Sequence, residues 1–447
     1  MSERKSKPKA VLVGVQTQET SDADLESSLA ELRRLAKTLG VVVIDRLTQR
    51  RDRIGANVLG QGKRLELARL TGGTGVNPRG PAAQRQKVIE EAKAAMATLV
   101  EELGEPAETA NLVIVDAELT PAQIRNLGQA VGVEVTDRTG IIVDIFHRHA
   151  STREARLQVE IARLKYLAPR MRAAGGATER QGGKGAGESS LELDRRKVRD
   201  RISELNRELA SIEGEAKVRR ARRQDTLRVA LVGYTNAGKS SWMRVLTTSS
   251  VLVQNKLFAT LDTTVRELHP KSTPQILVSD TVGFIQRLPH DLVASFRSTL
   301  EEAKEASLLL HVVDGSDPAW EAQLQVTREV LGEIGALEGR SLLVFNKIDR
   351  CSAERRRELS ERHPDAIQVS AKYPEDVKRL HRIIVDDFED VLEDLEIVVP
   401  YDKSSLIGEA HKRARIVSES FEEDGVHYRL KITAVEAAKL RRLLDSS

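Results

Sequence analysis

Residues 228–240 read RVALVGYTNAGKS, and no other stretch of the 447-residue chain restricts its folding as much. Arg228–Val232 is an apolar run of strand length, and Gly233-Tyr234-Thr235-Asn236-Ala237-Gly238-Lys239-Ser240 follows it without a break. The two glycines let the backbone wrap so that successive N–H groups face one anion, Lys239 adds a point charge, and the helix that follows offers its N-terminus. A loop of this kind joins a parallel strand to the helix that crosses back over the sheet, so it commits this part of the chain to an α/β fold. Ser240 adds a hydroxyl of the type that ligates Mg²⁺ beside a bound triphosphate.

Further elements fall at strand ends downstream. Ile276–Asp280 runs into Asp280-Thr281-Val282-Gly283, a carboxylate suited to water-mediated contact with Mg²⁺ and a glycine whose N–H can reach a γ-phosphate. Ser341–Phe345 runs into Asn346-Lys347-Ile348-Asp349. The Asp349 carboxylate can accept the N1–H and the 2-amino group of guanine; adenine offers neither donor, so a site built this way discriminates strongly. Asn346 can bond the O6/N7 edge, and the Lys347 stem can cover the ring. Ala366–Val369 enters Ser370-Ala371-Lys372, where a backbone N–H can bond guanine O6. Between the first two elements lies the loop Leu257-Phe258-Ala259-Thr260-Leu261-Asp262-Thr263-Thr264, expected to line the nucleotide from Phe258 to Asp262. Thr260 is the expected second metal ligand after Ser240, engaged only when the γ-phosphate is present, with Thr264 the next candidate. These residues predict Mg²⁺-dependent binding and hydrolysis of GTP, with Lys239, Thr260 and Gly283 acting on the reacting phosphate. Many such enzymes orient the attacking water with a glutamine after D-x-x-G. Here that position is Phe284, so slow unassisted hydrolysis is expected, raised when a partner orders the loops, with Gln286 as the alternative.

The rest of the chain divides by pattern into an α/β multidomain protein, since single cores rarely grow past ~250 residues. Residues 1–150 alternate strand-like runs (Lys9–Val15, Val41–Asp45, Leu112–Asp116, Val133–Thr136) with helical ones such as Asp22–Leu39, the signature of a parallel α/β domain. Thr120-Pro121 marks a helix start. Residues 151–225 carry two seams, Leu157-Ile161-Leu164-Ala168 and Val198-Ile202-Leu205-Leu209-Ile212, around a glycine-rich run from Gly175 to Gly187. They predict an antiparallel helical hairpin linker with a glycine-rich tip. Residues 226–393 form the P-loop domain on a mostly parallel, Ras-like sheet, and 394–447 read as a small α+β unit. Between Ser151 and Gln224 there are 19 Lys/Arg against 11 Asp/Glu, although the whole chain carries only +3. Arg195, Arg196, Lys197, Arg199 and Arg201 concentrate this charge, and Tyr166 is the one aromatic in the hairpin. Basic charge without stacking aromatics suits folded RNA recognised by shape and phosphate. One cysteine, Cys351, excludes an intrachain disulfide, no run approaches the ~18 apolar residues of a membrane span, and Met1–Ala10 lacks a signal-peptide core. A cytoplasmic monomer is expected. Gly62-Lys63 reads as a tight turn before a helix rather than a second phosphate loop, and His147 and His149 have no partners that would make a metal site.

Several segments carry a family resemblance: Ile114–Asn126 (IVDAELTPAQIRN), Val135–Phe146 (VTDRTGIIVDIF), Thr152–Pro169, Gly233–Ser240, Leu257–Asp262 and, most specifically, Phe284–Glu302 (FIQRLPHDLVASFRSTLEE). The chain resembles the HflX family of translational GTPases over nearly its whole length. The resemblance implies a factor that binds the large ribosomal subunit and ribosomal RNA, splits stalled or hibernating ribosomes, and reaches the peptidyl-transferase region with the hairpin tip. Here that tip reads Lys184-Gly-Ala186-Gly where the family usually has Arg-Gly-Pro-Gly, which loses the planar guanidinium. Other functions compatible with the residues are a GTP/GDP switch acting on a protein partner and an RNA-remodelling NTPase.

Overall fold

In the computed structural model the described residues are 7–18, 20–78, 81–174, 190–221, 226–247, 257–258, 264–287, 297–403 and 405–445. The chain forms two compact units, 1–209 with 288–295, and 210–287 with 296–447.

In the first unit the elements are β1 (Lys9–Gln16), α1 (Asp22–Thr38), β2 (Val42–Arg50), α2 (Gln61–Thr71), α3 (Ala82–Leu103), β3 (Leu112–Val115), α4 (Pro121–Val131), β4 (Glu134–Asp137) and α5 (Arg138–His149). The strands pair in parallel in the order β2-β1-β3-β4. Val11, Val13, Val113 and Val115 are fully buried on the sheet. Leu29, Leu32 and Leu35 of α1 are buried at helical spacing. α1 begins in a capping box between Ser21 and Asp24, and α4 in one between Thr120 and Gln123 with Pro121 in its first turn, as the Thr-Pro pair predicts. α5 is not separable in the sequence. It follows β4 with no loop, because Asp137 is at once the last strand residue and the helix N-cap, accepting from Gly140 N at 2.8 Å.

Charged groups are buried where these strands end. Arg138 pairs with Glu31 and, at 2.8 Å, with Asp116, all three side chains being at most 4% exposed. Asp137 is fully buried and its carboxylate also accepts from Leu119 N (3.0 Å), the Tyr166 hydroxyl (2.8 Å) and the Arg170 guanidinium (3.0 Å). Tyr166 and Arg170 lie on α6 (Arg153–Ala174), which packs on α4 and α5. The Arg170 guanidinium stacks 3.4 Å from the Tyr166 ring centroid. Burial pushes the Tyr166 hydroxyl pKa far up, and the Asp137 charge adds to the effect. α7 (Ser190–Ala221) runs antiparallel to α6, with Arg153 paired to Glu208 and Arg201 to Glu160. The two helices are linked to each other by these ion pairs, and α6 is also held by the N-terminal domain. The tip from Gly175 to Gly187 lies outside the described residues.

The second unit contains β5 (Leu227–Val232), α8 (Lys239–Thr247), β6 (Thr264–Glu267), β7 (Ile276–Asp280), α9 (Arg297–Lys304), β8 (Leu308–Asp314), α10 (Trp320–Glu333), β9 (Arg340–Asn346), α11 (Ala353–Arg362), β10 (Ile367–Gln368) and α12 (Pro374–Glu389). The order is β10-β9-β8-β5-β7-β6, with only β6 antiparallel. Trp242 and Met243 of α8 and Leu380 and Ile384 of α12 are buried in one cluster with Val229, Leu231 and Val278 of the sheet. The strands β11 (Glu393–Val399), β12 (Arg415–Glu422) and β13 (Gly425–Ile432), with α13 (Ser405–Arg413) and α14 (Ala434–Asp445), form an antiparallel sheet of order β11-β13-β12. Its alternating apolar residues, Leu395, Ile397, Val399 and Val426, Tyr428, Leu430, cluster with Leu406, Ala410 and Leu440 of those helices. Among the described residues no helix is long and apolar enough to cross a membrane.

Removing the Arg138 cation leaves two carboxylates buried without their counter-charge. Arg138→Met is expected to destabilise the first unit by about 3–5 kcal/mol, read as a lower urea midpoint for amide exchange of β1 and β3.

Candidate functional site

The ends of β5, β7, β8, β9 and β10 share one edge of the second sheet, the edge at which parallel α/β sheets bind ligands. Gly233 leaves β5 at φ +148°, and a Cβ there would lie 2.2 Å from the Val312 carbonyl oxygen. Gly238 adopts φ +105°, and a Cβ would meet Asn346 Nδ2 at 2.1 Å. Only glycine fits at either place. The loop therefore closes around Lys239, whose Nζ donates to the carbonyls of Gly233 (3.0 Å) and Tyr234 (3.1 Å). Burial pushes the Lys239 pKa down to about 8, against the pull of the Asp280 carboxylate. The amine remains mostly charged at neutral pH, and an incoming phosphate would favour that form further. Ser240 Oγ donates to Asp280 Oδ2 at 2.7 Å, so the hydroxyl and the carboxylate expected at a metal meet at the head of α8.

The segment after Asp280 is laced to the P-loop. Phe284 N donates to the Gly233 carbonyl (3.2 Å), and Thr235 N donates to the Phe284 carbonyl (2.7 Å). Gly283 has no room for a side chain, since a Cβ would sit 2.7 Å from Thr235 Cα and 3.0 Å from Lys239 Nζ. Phe284 is 2% exposed and Ile285 fully buried, so the ring at the usual glutamine position is packed into the protein. Thr281 is buried with its hydroxyl donating to the Leu231 carbonyl at 2.7 Å, and Val282 is 5% exposed; only their backbone is available to a ligand. Phe258 is buried too, its N–H donating to Thr235 Oγ1 at 3.1 Å. Thr264 opens β6 opposite Asp280. Ala259, Thr260, Leu261 and Asp262 lie outside the described residues.

At the other end, Asn346 Nδ2 donates to the Ala237 carbonyl (2.8 Å) and Oδ1 accepts from Ala371 N (3.3 Å). Its carboxamide is thus a strut between the P-loop and the loop after β10, a use the sequence does not reveal. Lys347 Nζ donates to the Asn236 carbonyl and to Asp314 Oδ2, both at 2.7 Å, which stretches its stem across the edge. Asp349 accepts from Ser370 Oγ (2.7 Å) and Lys372 Nζ (2.6 Å). Burial works to raise the Asp349 pKa, but the hydrogen bonds from Lys372 and Ser370 outweigh it and hold the carboxyl below its ordinary range. Asp349 is thus a fixed anion at the end of the sheet edge. Ile348, by contrast, packs with Trp320, Phe345 and Leu359 as core. Two residues that sequence reasoning passed over complete the edge. Asp314, the last residue of β8, anchors Lys347, and Asp376, in the first turn of α12, accepts from Ser370 N at 2.8 Å. An acid at the C-terminal end of a parallel strand was the one available signal for Asp314.

The sheet order, the glycine loop and the strand-end carboxylates define the class as a P-loop GTPase. Family models agree along the chain: "GTP-binding GTPase N-terminal" matches residues 63–147, "GTP-binding GTPase Middle Region" 149–223 and "50S ribosome-binding GTPase" 228–347. The chain is 55% identical to the GTPase HflX of Gluconacetobacter diazotrophicus over 98% of both chains. It is 34% identical to that of Escherichia coli over 91% of this chain and 89% of the relative. A GTP-binding protein of Sulfolobus solfataricus, solved in complex with GDP, aligns over 85% of this chain and 98% of its own at a TM-score of 0.44 and 22% identity. The chain belongs to the HflX family of GTPases; it binds GTP and hydrolyses it.

Gly238→Ala would strain the loop and force Asn346 off Ala237. A loss on the order of a hundredfold in affinity for a fluorescent GDP analogue is expected, with the fold retained by circular dichroism.

Proposed function

We propose that this GTPase acts on ribosomes in the cytoplasm: in its GTP form it binds the large ribosomal subunit through ribosomal RNA and separates stalled or hibernating ribosomes. The match of residues 228–347 to the family model described as a 50S ribosome-binding GTPase carries this reading. The α6–α7 arm supports it. Lys197 pairs with Asp194, and Arg201 with Glu160 and Glu204, all substantially exposed. Exposed pairs of this kind are worth about 0–1 kcal/mol, so an RNA phosphate can replace either carboxylate. Arg199 forms no ion pair among the described residues. Tyr166, the arm's one aromatic, bonds Asp137 through its hydroxyl and has the Arg170 guanidinium over its ring, which favours recognition by shape and phosphate.

Within the nucleotide site, the P-loop N–H groups and Lys239 hold the β- and γ-phosphates, Gly283 presents its N–H to the γ-phosphate, and Asp349 selects guanine. The hydroxyl of Ser240 beside the Asp280 carboxylate is a hard-oxygen donor set that fits Mg²⁺. Ser240 and Thr260 would hold the ion, which supplies neutralisation of the charge between the β- and γ-phosphates. With Phe284 packed away, hydrolysis by the free protein is slow, and the ribosome accelerates it by ordering the loops.

Co-sedimentation with purified large subunits in the presence of a non-hydrolysable GTP analogue tests the reading. Binding is expected with the analogue and not with GDP, weakened steeply by salt and by deletion of residues 175–187, while added subunits raise GTP turnover. Absent or nucleotide-independent binding would favour a switch acting on a protein partner.

A further inference from the structure

The first two variable positions of the P-loop both carry hydroxyls, and each hydroxyl accepts one backbone N–H from a different segment. Tyr234 Oη accepts from Gln286 N at 2.7 Å, and Thr235 Oγ1 accepts from Phe258 N at 3.1 Å. Both bonds are sheltered: Tyr234 is 5%, Thr235 7% and Phe258 2% exposed. The backbone ladder that laces the segment after Gly283 to the P-loop consists of the Phe284–Gly233 and Thr235–Phe284 bonds. The Tyr234 hydroxyl adds a rung two residues further on, immediately before Arg287 turns the chain at φ +51°. Thr235 performs the corresponding task on the other segment, where Phe258 sits at φ +57°, a conformation unfavourable for a residue with a large side chain. A P-loop holds phosphate with backbone N–H groups and its lysine, so the side chains at 234 and 235 are available for a different task.

We propose that Tyr234 and Thr235 are positioning residues for GTP hydrolysis: their hydroxyls hold the Phe258 and Gly283–Gln286 segments in register with the phosphate loop. Their effect falls on turnover, and nucleotide affinity stays with the backbone and Lys239. The need for such a device follows from Phe284. With no glutamine at that position to orient the attacking water, the geometry around the γ-phosphate depends on where the two segments lie. The two backbone rungs are insensitive to side-chain identity, so these hydroxyls are where the sequence sets that register. The inference rests on GTP binding at this site; failure of the wild-type chain to bind GTP would overturn the site assignment, independently of the two hydroxyls.

Tyr234→Phe and Thr235→Val in the full chain remove one oxygen or exchange it for a methyl with little change of shape. Each is expected to lower kcat for GTP about three- to tenfold, with KM and the affinity for a fluorescent GDP analogue within about twofold of wild type. Amide exchange is expected to accelerate at Gln286 in the first variant and at Phe258 in the second, each without the other. An unchanged or raised kcat, a rise in KM alone, or a fall in kcat with both amides still protected would overturn the proposal. The wild-type protein gives an independent check should a variant fail to fold. Its Gln286 and Phe258 amides must be protected from exchange, and rapid exchange at either contradicts the assignment.

Discussion

The carboxamide of Asn346 is the constraint on which the nucleotide edge depends. It lies at the end of β9, 2% exposed, and reaches Ala237 on one side and Ala371 on the other. Three loops that are remote in sequence are therefore held at a fixed separation by one small, buried side chain. That separation explains why Gly238 cannot carry a Cβ, since the space is already occupied by Asn346 Nδ2. It also explains how Lys347, the next residue, reaches both Asn236 and Asp314. Buried hydrogen bonds between separate segments rigidify their surroundings. Here the rigid frame holds the phosphate loop at one end and the Asp349 carboxylate at the other.

A buried carboxylate does similar work in the first unit. Asp137 closes the junction of β4 and α5, holds the loop at Leu119, and accepts from Tyr166 and Arg170 of α6. The basic arm is therefore attached to the N-terminal sheet by charge-assisted bonds as well as apolar packing, and its direction is set by that sheet. On the proposed function this is the property an RNA-reaching arm requires, because a phosphate contact positions a protein only when the contact is itself fixed.

Much of this was legible in the sequence, because the informative residues are local. The glycine loop, the carboxylates at strand ends, the Thr120-Pro121 helix start and the alternating strands of the C-terminal sheet each announce themselves within a few residues. What escaped depends on pairs far apart in the chain or on positions with two roles. α5 was hidden because Asp137 ends a strand and caps a helix in one step. β2 continues to Arg50, past the apolar Val41–Asp45, because backbone pairing to β1 runs its whole length while Leu47 is the one residue of the extension in the core. The bonds by which Asn346 ties two loops together join residues 109 and 25 positions apart and are not visible locally. The hydroxyl rungs of Tyr234 and Thr235 join residues 52 and 23 positions apart, a distance no local pattern encodes.

Purine choice tests the account most directly, since Asp349, fixed by Ser370 and Lys372, is the group proposed to select guanine. Titration calorimetry of the full chain with GTP and with ATP, repeated on Asp349→Ala, measures that choice. A preference for GTP on the order of a thousandfold or more, lost in the alanine variant, is the predicted result. Comparable affinity for ATP in the native chain, or a preference that survives the substitution, would contradict it.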